Sequence, residues 1–367
     1  MTNPLIRLGQ LGQSPWYDYM TRELVASGTL GRLVREDGLL GMTSNPTIFE
    51  KAIAASADYD DDIRIAATEG ADPPAIFEKL AVADVRAACD VLMPVYQSTG
   101  FRDGLVSLEV SPTLANDTRA TVTEAKRLWD AVGRPNAMIK IPGTLAGLPA
   151  ITECLAAGVN INITLLFAVA RYEMVMEAFF AGLEARLAAG YSIDRIASVA
   201  SFFVSRVDGR ADGLLDQIGD PKGLRGTIAI ANAGCAYAAF QGSLATPRWQ
   251  ALAARGAHPQ RPLWASTSTK DPRYPDIYYV EALIAADTVD TMPPDTLNAY
   301  RDHGSPMVRI DEAIAAAGDR LTALRDCGID LDDITGFLET DGVAKFTASY
   351  QSLVRGIESK AGLLVGR

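Results

Sequence analysis

Short apolar runs of strand-like composition alternate with longer helical patterns along the whole chain, and this alternation limits the fold more than any other feature. The clearest strand-like runs cover residues 39–46, 104–111, 137–142, 159–167, 196–203, 262–268 and 286–292. The spacing of apolar residues predicts helices over residues 116–132, 168–189, 226–244 and 311–327, the first of them opening on an Asn-Asp-Thr cap signal. Repeated strand–helix units imply an α/β domain built on a parallel sheet. No low-complexity linker, charge block or shift of composition interrupts them, so residues 1–367 are expected to form a single domain. That is long for one domain, but α/β barrels commonly reach such lengths. The expected architecture is a (β/α)8 TIM barrel with additional helices at the N- and C-termini. A doubly wound sheet is the alternative, weakened because no G-x-G-x-x-G or Walker loop opens a helix.

The strands carry polar residues in an ordered way. Asn160, Asn162 and Thr164 share one face of their run, and Ser107 and Glu109 share a face opposite Val106, Leu108 and Val110. Lys140 opposes Ile139 and Ile141. Parallel barrel strands are usually apolar on both faces, whereas polar residues near the C-terminal ends of several strands mark a barrel active site. Hydrogen-bonded polar layers inside the barrel are the plainer alternative. A lysine inside a strand is costly unless it is paired or neutral. Burial lowers a lysine pKa from about 10.4 and frees a neutral amine to attack carbonyls. A structural ion pair with Glu109 is the competing role for Lys140.

Other chemistries find little support. His258 and His303 are the only histidines, and neither belongs to a metal-ligand pattern, so no metal is expected. No G-x-S-x-G elbow is present for a serine hydrolase. Lys+Arg 34 against Asp+Glu 45 leaves a net charge of -11, which argues against nucleic-acid binding. An anionic substrate must then be held by locally placed cations. Cys89, Cys154, Cys235 and Cys327 form no C-x-x-C pair and are expected to be buried free thiols. No apolar run reaches a membrane span, the small-residue stretch 228–240 coming nearest, and the N-terminus has no signal-peptide pattern. A reducing cytoplasm is the expected location, and the acceptor patterns at Asn116 and Asn162 are read as chance.

Three blocks, in order, carry a family resemblance. Gly41-Met42-Thr43-Ser44-Asn45-Pro46-Thr47 resembles the Thr-Ser/Thr-Asn-Pro signature of transaldolases. Met138-Ile139-Lys140-Ile141-Pro142-Gly143-Thr144, followed by Gly147-Leu148-Pro149-Ala150, resembles their Schiff-base lysine signature. Ile161-Asn162-Ile163-Thr164-Leu165-Leu166-Phe167 is similar to a third block, and the Gly-Gln-Ser-Pro-Trp-Tyr-Asp segment starting at Gly12 resembles the longer bacterial branch. The resemblance runs from about Gly12 to the last helix.

It implies a class I aldolase barrel that needs no cofactor. The implied reaction, in the pentose phosphate pathway, moves a dihydroxyacetone unit from a ketose phosphate to an aldose phosphate. The donor is sedoheptulose 7-phosphate or fructose 6-phosphate; the acceptor is glyceraldehyde 3-phosphate or erythrose 4-phosphate. By resemblance, Lys140 forms the Schiff base, Glu109 does acid–base work through a water, Asp18 is a second acid–base group and Thr164 holds the water. Asn45 and Asn162 bind hydroxyls of the dihydroxyacetone unit. A helix cap is the alternative role for Asp18.

Ser201-Phe202-Phe203-Val204-Ser205-Arg206 resembles the family's phosphate-binding arginine block, with Ser201 and Phe203 lining the site. Ser268 and Lys270 stand where the family has a serine and a basic residue; Ser266 is the alternative serine, and Lys270 gives a point charge rather than a bidentate fork. The stretch 332–360 is expected to form a helix over the site, and the oligomeric state is left open between monomer and homodimer. Two competitors remain: an aldolase that releases free dihydroxyacetone, and a non-catalytic barrel that binds a sugar phosphate. The smaller aldolases of the superfamily carry Gln where this chain has Glu109 and Tyr where it has Phe203, so both residues favour transfer.

Overall fold

The computed structural model of the chain describes residues 3–366. Eight parallel strands close a barrel in sequential order: β1 (Gln13–Asp18), β2 (Gly41–Thr43), β3 (Leu105–Glu109), β4 (Ala137–Pro142), β5 (Ile161–Leu166), β6 (Ser198–Phe203), β7 (Arg261–Ala265) and β8 (Thr288–Met292). Closure is made by β1, which pairs with both β2 and β8. The doubly wound alternative is therefore ruled out. Apart from Asp18, every strand residue is buried, because helices cover the outer face and side chains fill the inner one.

Local chemistry explains where the sequence expectations shift. Pro15 weakens the strand signal of β1 because it lacks a donor. Its carbonyl still accepts from Leu40 N at 2.9 Å, and Gln13–Asp18 is a full strand. The run 39–46 yields only the short β2: Asn45 turns the chain by accepting from Ile48 N, and Pro46 starts the helix Pro46–Ala55. Two further helices, Asp60–Thr68 and Pro73–Ser98, follow before β3. The helix expected over 116–132 is Thr118–Val132; Asp117 caps it, and left-handed Gly133 ends it. The other expected helices are Val169–Ala188, Ile228–Leu244 and Ile310–Asp326.

The two barrel ends differ in kind. At the N-terminal end the buried Arg261 guanidinium donates to Asp103 Oδ1 at 2.8 Å, Ser14 Oγ at 2.8 Å and Arg102 O at 2.7 Å. The short helix Pro4–Gln10 packs against β1. At the C-terminal end lies the helix Leu331–Leu364, packed on Pro46–Ala55, on Asp60–Thr68 and on β5. Thr47 Oγ1 donates to Ser349 Oγ at 2.9 Å, and Lys360 Nζ donates to Ile53 O at 3.0 Å and Ser56 O at 2.6 Å. Gly342 lets this helix approach: a Cβ there would sit 2.9 Å from Leu165 Cδ2. All four cysteines are free; Cys89 and Cys154 are buried, but Cys235 and Cys327 are only half-buried, against the expectation for those two. Among the described residues, no helix is long and apolar enough to cross a membrane.

Candidate active site

Polar side chains project into the barrel from adjacent strands because parallel register sets them side by side. Glu109 of β3 pairs with Lys140 of β4, and Lys140 pairs with Asn162 of β5. Lys140 is buried; its Nζ donates to Ser44 O at 3.2 Å and lies 3.6 Å from Glu109 Oε2. Ser107, Asn162 and Ser201 form a connected hydrogen-bonded set. Asn162 Nδ2 donates to Ser107 Oγ at 3.0 Å, and Ser201 Oγ donates to Asn162 Oδ1 at 2.7 Å. At the end of β1, Asp18 accepts from Thr43 Oγ1 at 2.6 Å, and Thr43 also bonds Thr291 at 2.7 Å. The cap of the following helix, Arg22–Ala26, is Thr21, so Asp18 does not cap it.

A cavity of about 360 Å³ opens at this end of the barrel. It is lined by Asp18, Asn45, Lys140, Ser201, Phe203 and Arg206, and by Ser266, Ser268 and Lys270 of the loop after β7. The structure thus brings together most of the residues singled out from sequence. Both candidate serines face the cavity. Glu109, Asn162 and Thr164 do not line it. Asn45 has a second task, since its side-chain oxygen caps the helix Pro46–Ala55. A larger cavity of about 830 Å³ is lined by the helices Pro73–Ser98 and Thr118–Val132 and also by Ser44, Asn45 and Glu109, and Lys140 is not part of its wall.

Burial governs the electrostatics. Desolvation pushes the Glu109 carboxyl up to about 7, with Lys140 opposing the rise and Asp18 adding to it. Asp18 is raised by burial, against the pull of Lys140, Thr43 and Arg206. Among the described residues, neither Glu109 oxygen nor the Thr164 hydroxyl has a hydrogen-bond partner, so these three buried atoms are available to a small polar molecule. The Arg206 guanidinium stacks over Phe203, 5.0 Å from the ring centroid, and its pKa is lowered by burial. Lys270 Nζ donates to Ser268 Oγ at 2.8 Å, and Ser205 Oγ lies 3.0 Å from Ser266 Oγ. One end of the cavity therefore offers the Lys140 amine and the Asp18 carboxyl, with the Glu109 carboxyl 3.6 Å from the amine but outside the cavity wall, and the other offers two cations with hydroxyls. That arrangement suits a carbonyl compound carrying an anionic tail.

Sequence reasoning missed Ser205, Thr291 and Phe346. Thr291 repeats the inward polar pattern on β8 and was legible in principle. Phe346 reaches the cavity from the helix Leu331–Leu364, and no local signal marks it.

A family model described as Transaldolase/Fructose-6-phosphate aldolase matches residues 15–357. A protein named Transaldolase from Acidothermus cellulolyticus is 50% identical over 361 residues, which cover 97% of this chain and 96% of that protein. Another of that name from Parafrankia sp. is 49% identical, with 99% of each chain covered. Transaldolase 2 from Nostoc sp. is 46% identical over 99% of this chain and 98% of its own length.

Proposed function

The chain belongs to the transaldolase/fructose-6-phosphate aldolase family and functions as a transaldolase, and we propose that it carries the dihydroxyacetone unit as a Schiff base on Lys140. The observation that carries this reading is the placement of Lys140: buried on β4, 3.6 Å from Glu109, and open to a cavity that Arg206 and Lys270 also line.

The chemistry follows from these positions. The neutral amine attacks the C2 carbonyl of a ketose phosphate, and a proton passes to the oxygen to form a carbinolamine. Glu109, titrating near 7, gives a proton to the departing hydroxyl and later recovers one from the hydrolytic water. Thr164 holds that water. Asp18 takes the proton of the C4 hydroxyl; the C3–C4 bond breaks, its electron pair flows into the iminium, and an aldose phosphate leaves. The enamine left on Lys140 attacks an acceptor aldehyde, and the same steps run backwards. Asn45 and Asn162 hold hydroxyls of the three-carbon unit, with Asn162 freed from its Ser107 and Ser201 contacts when substrate enters. Arg206, Lys270, Ser266 and Ser268 hold the phosphate by charge-assisted hydrogen bonds.

The aldolase alternative ends in free dihydroxyacetone. The apolar Phe203 ring beside the cavity favours transfer, because it supplies no proton to the enamine. Borohydride reduction with fructose 6-phosphate, followed by mass mapping, tests the Schiff base. The adduct is expected on the peptide containing Lys140, and Lys140→Ala is expected to abolish trapping and transfer. An adduct on any other lysine overturns the assignment.

A further inference from the structure

The loop after β7 departs from strand geometry at one residue. Ala265 ends β7 with its side chain on the cavity. In a continued strand the next side chain would turn away from the cavity, the one after would turn back, and so on. Here Ser266 and Ser268 both face the cavity. The cause is Ser266, whose φ of 58° lies in the left-handed region that a residue with a Cβ avoids. One such residue reverses the phase of the alternation.

Thr267, between the two serines, is turned the other way and is fully buried. Its Oγ1 donates to Asp290 Oδ1 at 2.8 Å. Asp290 sits on β8 opposite Trp264 of β7, on the strand face that points away from the cavity; its neighbour Thr291 takes the cavity side. Asp290 is also fully buried, and its second oxygen has no protein hydrogen-bond partner among the described residues. A carboxyl group there costs free energy, and no proton transfer of the reaction uses it.

We propose that Asp290 is a positioning residue for phosphate binding: through Thr267 it holds the loop after β7 so that Ser266 and Ser268 both present their hydroxyls to the phosphate. The cavity side of the loop is fixed by Ser205, whose N donates to Ser266 O at 3.0 Å, and by Lys270 on Ser268. Asp290 supplies the hold from behind, which offsets the unfavourable backbone of Ser266. The inference rests on the reading of these serines, Arg206 and Lys270 as the phosphate subsite.

The test compares Thr267→Val, Asp290→Leu and Asp290→Asn, using fructose 6-phosphate and unphosphorylated fructose as donors. Thr267→Val keeps shape but removes the donor; Asp290→Asn keeps an acceptor oxygen. Thr267→Val and Asp290→Leu are expected to raise KM for fructose 6-phosphate by about tenfold, the size of one lost ordering contact, with kcat little changed. Fructose kinetics should be unmoved, and Asp290→Asn should stay close to wild type. Should Asp290→Leu fail to fold, the isosteric Thr267→Val decides the matter alone. A folded Thr267→Val with unchanged KM, or one that loses both substrates equally, overturns the inference. Arg206→Ala serves as the control. If it too affects both sugars equally, the phosphate subsite itself is misplaced; if it discriminates and Thr267→Val does not, only the role of Asp290 fails.

Discussion

A lysine in the middle of a barrel strand survives because its surroundings are polar on the one side it faces. Lys140 has the Ser44 carbonyl at 3.2 Å and the Glu109 carboxyl at 3.6 Å, and the isoleucines beside it take the other face. The pair is also economical chemistry. A carboxyl that titrates near 7 gives or takes a proton at neutral pH with little penalty. What happens after cleavage depends on a different residue. In the proposed mechanism an enamine on Lys140 must meet an acceptor before it meets a proton, and Phe203 packs against Phe167 with ring centroids 5.2 Å apart and offers none. Phe203→Tyr is therefore expected to raise the ratio of free dihydroxyacetone to transfer product by about tenfold, a change of ~1.4 kcal/mol between two barriers. Product partitioning from fructose 6-phosphate, with and without acceptor, measures it. If a folded, active variant partitions like wild type, Phe203 is a packing residue and protection of the enamine lies elsewhere, with Glu109 the next group to vary.

Elements were legible in proportion to how local their signals are. The run around Lys140 matches β4 residue for residue, since Ala137 and Pro142 bound a short apolar stretch. The first strand is missing from the clear strand-like runs because Pro15 interrupts its signal, and β2 was overestimated because Asn45 and Pro46 look like strand continuation until the cap is recognised. The helices between β2 and β3 break the strand–helix alternation, so nothing in the periodicity demanded them. The site followed the same rule: apart from Thr291, residues inside strand motifs were found, whereas Phe346 depends on the fold of a helix far along the chain, and the left-handed Ser266 on contacts made across strands. Close approach between elements was invisible for the same reason. Gly234 in the helix Ile228–Leu244 faces the helix Ile310–Asp326, and a Cβ there would lie 2.9 Å from the Ala313 carbonyl carbon and 3.0 Å from Ile314 N. These are backbone atoms that cannot turn aside. Gly234→Ala is expected to destabilise the protein by roughly 1–3 kcal/mol despite the better helix propensity of alanine. Thermal unfolding checks this, and a Tm equal to or above that of wild type would show that the two helices separate without strain.

Taken whole, the molecule is acidic at -11, yet the proposed site takes an anionic substrate, and the two are reconciled by where the charges sit. Arg206 and Lys270 line the cavity, while several carboxyls are buried where ionisation is disfavoured. Burial pushes Glu109, Asp208 and Asp290 each up to about 7. Asp208 has compensation, accepting from Ala229 N at 2.7 Å and Tyr279 OH at 2.9 Å. Asp290 has only the Thr267 hydroxyl, and among the described residues no cation pairs with it. This sets the sign of its effect on stability. The folded protein holds the Asp290 proton up to about 7, whereas an unfolded chain releases it near 3.8. Between those values the folded state binds more protons, so stability falls as pH rises through the window, and the loss is complete above about 7. Asp290→Asn resembles the protonated carboxyl in shape, retains an acceptor for Thr267 and does not titrate. It is expected to leave Tm close to wild type at pH ~5 and to exceed wild type at pH ~8, the gap opening across the window where Asp290 ionises. Unfolding curves of both proteins across that range decide the matter. Parallel pH profiles would mean that Asp290 is already ionised in the folded protein at low pH, held by a partner other than Thr267.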